Sequence, residues 1–73
     1  MPRKIRELRA ELRRAGFSIV RTRGSHTMWG HPLLPGISAN LAGRDGADAK
    51  PYQEDEVRKA LLALREAQRK QQP

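Results

Sequence analysis

Between Arg3 and Ala15 the apolar residues Ile5, Leu8, Leu12 and Ala15 recur at steps of three and four, with Arg and Glu filling the positions between them. That spacing predicts an amphipathic helix, with Pro2 suited to its start and Gly16 to its C-terminal cap. The chain then turns to β-branched and aromatic residues over Phe17 to Thr22, the composition of a short strand. Arg23-Gly24 reads as a turn and Ser25 to His31 as a returning strand, although Arg-Gly is not a preferred pair for a two-residue hairpin. The prolines and glycine of Pro32-Leu33-Leu34-Pro35-Gly36 make this segment a connection, because two ladder donors are missing. Ile37 to Leu41 alternates apolar with polar, the period of a half-buried third strand that ends at Gly43-Arg44-Asp45-Gly46. From Gln53 onward Val57, Ala60, Leu61 and Leu64 mark one face of a second helix, with Glu54, Asp55 and Glu56 near the positive end of its dipole. Glu54/Arg58, Asp55/Lys59 and Glu66/Lys70 stand at the i,i+4 spacing of favourable pairs, and residues 68–73 are expected to fray. The fold class expected is α+β in the order α-β-β-β-α: a three-stranded antiparallel sheet with both helices on one face, the other face wet, in a single domain over 1–73.

Composition narrows what such a domain does. A chain of 73 residues, 37% hydrophobic and 4% aromatic, builds a thin core, which argues against a deep substrate pocket. The absence of cysteine excludes a disulfide framework and a thiolate zinc site, and the two His and eight acidic residues show no metal-ligand spacing. No cofactor is expected. No apolar run has the length of a signal-peptide core or a membrane span, so a cytoplasmic protein without a membrane partner is expected. Fifteen Lys and Arg against eight Asp and Glu give a formal charge of +7, concentrated on the flanks of a loop-rich stretch from Gly24 to Ala49. That charge favours a polyanionic partner such as nucleic acid.

Cutting RNA without a metal requires a group that takes a proton from a 2′-hydroxyl near neutral pH, and histidine suits that work. His26 and His31 are the candidates. Gly24 allows a phosphate close to the backbone, Ser25 adds a hydroxyl donor, and Arg21 and Arg23 add cations. Residue type alone favours plainer roles. A histidine at a strand start is most often a solvated polar residue, His31 before Pro32 more so, and the arginine face of the first helix is most often just solvated. Trp29 in so thin a core is more readily packing than a surface on which bases stack.

The run Gly24-Ser25-His26-Thr27-Met28-Trp29-Gly30-His31-Pro32 resembles the Gly-Ser-His, aromatic, His-Pro signature of the HicA family of toxin messenger-RNA interferases. The basic leading helix, the Gly16-Phe17 step and the closing amphipathic helix extend the resemblance over about Arg3 to Ala67. It implies a fold similar to double-stranded-RNA-binding domains, ribosome-independent cleavage of messenger RNA, and neutralisation by a HicB-like antitoxin. The family's catalytic histidine maps onto His26, its turn-shaping residues onto Gly24 and Ser25, and its inward aromatic onto Trp29. With Trp29 inward, period-two alternation sends Thr27 inward and His26 outward. Arg23, the Gly24 and Ser25 amides and Lys50 would then offset charge on the phosphate. Thr27 stands where many members carry a second histidine, Gly30 where many carry a basic residue, and a glycine-rich loop follows the third strand in place of Pro-x-His. The alternative is a non-catalytic RNA-binding module of the same fold, recognising phosphates and shape. A DNA-binding repressor is less favoured, since no closely spaced helix pair is visible.

Overall fold

The structure is a computed structural model that describes residues 2–71. Its elements are α1 (Ile5–Arg14), β1 (Ser18–Arg23), β2 (His26–Gly30), β3 (Ala39–Ala42) and α2 (Pro51–Gln71). The three strands form one antiparallel sheet in the order β1-β2-β3, giving the expected α+β layout.

Helix α1 buries Ile5, Leu8 and Leu12, the residues its periodicity places on one face. Its start is set by Lys4, whose amide donates to the Glu7 carboxylate at 2.9 Å, rather than by Pro2. Its end follows the glycine rule. Gly16 adopts φ +97, its amide donates to the Arg13 carbonyl, and the Phe17 amide donates to the Leu12 carbonyl. This double bond pattern closes the helix and delivers Phe17 into the core beside Leu12. Helix α2 begins at Pro51, two residues before the predicted start. The Lys50 amide donates to Gln53 Oε1, and proline at the first helical position has no donor to lose.

Both helices cover the same face of the sheet. Thr27 and Trp29 of β2 and Ala39 and Leu41 of β3 are buried there with Leu8, Leu12, Val57 and Leu64. Trp29 is the largest fully buried side chain. Its Nε1 donates to Thr27 Oγ1 at 2.9 Å, that hydroxyl donates to the Leu41 carbonyl at 3.2 Å, and the Arg13 guanidinium lies 5.1 Å from the ring centroid. One hydroxyl thus satisfies both the indole and a strand carbonyl. Thr27→Val keeps the shape but leaves the indole N–H without a partner, so a loss of about 1–3 kcal/mol is expected in urea unfolding, with Thr27→Ser restoring most of it.

Strand β1 is exposed along its whole length, because the helices cover β2 and β3 and leave this edge overhanging. The opposite edge is partly covered, as the Asn40 amide donates to the Glu56 carboxylate of α2.

Further local expectations change: strand 1 begins at Ser18 rather than Phe17, and strand 2 ends at Gly30, short of His31. The hairpin turn is Gly24-Ser25, one residue later than Arg23-Gly24, with positive φ at Gly24 and not at Ser25. Gly-X is the favoured pair for such a primed turn, and Arg23 becomes the last residue of β1. Strand 3 runs over Ala39–Ala42 rather than Ile37 to Leu41, because Ile37 lies outside the ladder and is exposed. The ion pairs formed on α2 are Asp55–Arg58 and Glu66–Arg69, at i,i+3 rather than i,i+4. Finally, residues 68–71 of the expected frayed tail are helical and exposed, while 72 and 73 lie outside the described residues.

Candidate active site

The site begins with the hairpin. Gly24 takes φ +59, a region that L side chains adopt at a cost, and this tight reversal makes His26 the first residue of β2. Ser25 is held from the other side, its carbonyl accepting from the Gly43 amide at 3.3 Å. Gly43 is itself anchored, because Arg9 of α1 donates to its carbonyl at 3.1 Å and pairs with Asp45 at 2.6 Å. A side chain from the first helix therefore reaches the loop after β3 and, through it, the turn that carries His26. Among the described residues, the Gly24 and Ser25 amides donate no hydrogen bond, so both are available to an anion.

His26 is exposed and on the open face, as the parity set by buried Thr27 and Trp29 requires. Its cross-strand neighbours are Arg23 on β1 and Ala42 on β3. One supplies charge and the other leaves space. Arg21, Arg23, His26, Met28 and Asn40 line a depression of about 460 Å³. Arg21 and Arg23 take part in none of the ion pairs among the described residues. No acidic residue lies between Glu11 and Asp45, so the strands contribute no carboxylate to this face. Such a face attracts phosphate.

The other candidates fall elsewhere. His31 Nδ1 accepts from the Leu33 amide at 3.1 Å, which leaves any proton of the neutral ring on Nε2, and the ring meets Phe17 edge-on at 5.1 Å. A Cβ on Gly16 would lie 2.9 Å from His31 Nε2, so this histidine fills the space a glycine leaves and shapes the 31–37 connection. Lys50 caps α2 and is not among the residues lining the depression. Among the described residues no group of His, Cys, Asp and Glu is placed to hold a metal ion.

Met28 and Asn40 carry no role in the sequence reading, and Arg9, one of the helix 1 arginines expected to be merely solvated, is instead only 17% exposed and anchors Gly43. The acid-free span from Leu12 to Arg44 is a sequence signal that marks the basic face, whereas Arg9 is visible only in three dimensions because its partners are more than thirty residues away. No family model, curated protein or solved structure matches this chain.

Proposed function

We propose that this chain is a metal-independent endoribonuclease that cleaves messenger RNA in the cytoplasm, the toxin of a toxin-antitoxin pair neutralised by an acidic HicB-like antitoxin. The observation that carries the proposal is the exposed His26 between Arg23 and the small Ala42, on a sheet whose strands carry no acidic residue. His26 takes the proton of a 2′-hydroxyl, and the resulting oxygen attacks the adjacent phosphorus. The bond to the 5′-oxygen breaks and that oxygen takes up a proton, leaving a 2′,3′-cyclic phosphate and a 5′-hydroxyl. Arg21, Arg23 and the free amides of Gly24 and Ser25 offset the charge that gathers on the phosphate oxygens. Lys50, on the helix layer, has no part in this set. The depression opens on the exposed face of the sheet, where an RNA strand can lie. A charge of +7 draws an acidic antitoxin by long-range attraction, and an antitoxin that covers the open face blocks His26.

The test is digestion of synthetic RNA by the purified protein with chelator present, followed by end-group analysis. Fragments ending in cyclic phosphate are expected. Salt-sensitive binding without any fragments would instead establish a non-catalytic RNA-binding module.

A further inference from the structure

The open sheet face has two ends of different chemistry. At one end is the basic depression of His26. At the other is a groove of about 560 Å³ in which Val20, Met28, Leu34 and Ile37 supply apolar walls and Ser18 and Ser38 supply hydroxyls. Its volume is within the roughly 300–1,000 Å³ of small-ligand clefts. Val20 and Ile37 are 61% and 45% exposed, an unusual outlay of apolar surface for so polar a chain.

An irregularity in β1 creates this groove. The pairing register slips between Ile19 and Arg21, so that Ile19 opposes Trp29 and Arg21 opposes Met28 with Val20 unpaired between them. Counted back from Arg21, strict alternation would send Val20 to the helix side, and counted forward from Ile19 it would send Arg21 there; the slip lets both face outward. Val20 lies over Gly30 on the open face, where a Cβ added to that glycine would be 3.2 Å from Val20 Cγ1. Successive residues of one strand therefore present an apolar wall and a cation on the same face. Met28 belongs to both ends, lining the groove and the His26 depression alike.

We infer that this groove is a subsite for an unstacked nucleobase of single-stranded RNA, next to the phosphate that His26 addresses. The inference rests on the RNA-cleaving function proposed above. Met28 is two residues along β2 from His26, about 7 Å at ~3.3 Å per residue, a separation of the order of one nucleotide step in an extended strand. A base seated between Val20, Met28 and Ile37 leaves its phosphate over Arg21 and the next phosphate toward Arg23 and His26. The Ser18 and Ser38 hydroxyls, each donor and acceptor, meet base edges of any identity. The walls are non-aromatic here, because Trp29 and Phe17 are committed to the core and the exposed Tyr52 does not line the groove. A base and its phosphate need an apolar wall and a cation side by side, as Val20 and Arg21 provide.

The experiment is an abasic scan. Protein carrying His26→Ala is titrated with a fluorescent single-stranded RNA and with versions lacking one base at each position in turn, while wild-type cleavage is measured in parallel. One abasic position is expected to weaken binding about tenfold, near the lower end of the range for a stacked base. Adding Val20→Ser and Ile37→Ser to that protein should abolish the difference, with an unchanged melting temperature showing that these exposed positions do not affect folding. A flat scan with intact RNA binding overturns the subsite while leaving the nuclease standing. A position-specific loss without wild-type cleavage supports the subsite and rejects the nuclease. Failure to bind RNA at all rejects both. A flat scan together with self-association that the two serine substitutions abolish would assign the groove to contact between copies of the chain, and so also overturns it.

Discussion

His26→Ala is expected to slow RNA cleavage by about a hundredfold to ten-thousandfold, the range that a positioned proton acceptor contributes. The side chain is exposed and donates or accepts no hydrogen bond among the described residues, so its removal should leave the melting temperature and RNA affinity close to those of the parent. His26→Gln should be equally slow, since it preserves polarity and much of the reach but transfers no proton. The informative control is His31→Ala. That histidine accepts from the Leu33 amide and packs on Phe17, so its loss should lower stability while the folded fraction retains the parent's cleavage rate. The two histidines are thus distinguished by which measurement each variant changes. Cleavage by His26→Ala at the parental rate would place the chemistry elsewhere.

The second large effect concerns the other face of the same strand. Trp29→Ala should cost about 3–5 kcal/mol, the range for removing a buried large aromatic. A chain of 73 residues has roughly 4–11 kcal/mol of stability in total at ~0.05–0.15 kcal/mol per residue, so this one change consumes a large share of it. The indole is wholly buried, donates to Thr27 and has Arg13 over its face, and collapse of α1 onto the gap is limited by packing around Leu8 and Leu12. A urea or thermal melt followed by circular dichroism should show a much earlier transition. Trp29→Phe should lie in between. If Trp29 instead stacked on a base, Trp29→Ala would weaken RNA binding with stability unaltered, and the two measurements together decide between packing and recognition.

The motif residues that matter here were readable to different depths. The parity of β2 was legible, because Trp29 is too large for a thin core to leave outside and alternation then sets His26 outward. The Arg21 and Arg23 neighbourhood was legible for the same reason, through their proximity to a hairpin. The turn itself was misplaced by one residue: Arg23 looked like a turn residue beside glycine, whereas pairing with His26 keeps it in the strand. Ile37 looked like the first inward residue of strand 3, yet it lies on the rim of a groove, because β3 pairs only from Ala39 onward. Charge alone groups Lys50 with the phosphate-binding cations, whereas its place at the head of α2 leaves it out of the depression that Arg21 and Arg23 line.

What the amino-acid sequence determined by itself is what depends on local backbone geometry. The two helical faces, the glycine end of α1 and the outward position of His26 follow from periods of 3.6 and 2 and from the conformational freedom of single residues. What only the tertiary structure decided depends on which distant segments meet. The slip in β1 that sets Val20 and Arg21 on one face arises from pairing with β2. The bracing of the Gly24-Ser25 turn by Gly43, and of Gly43 by Arg9, joins residues from both sides of the sheet sequence. Pairing register and side-chain reach across the fold are properties of contact between elements, and no period along the chain encodes them.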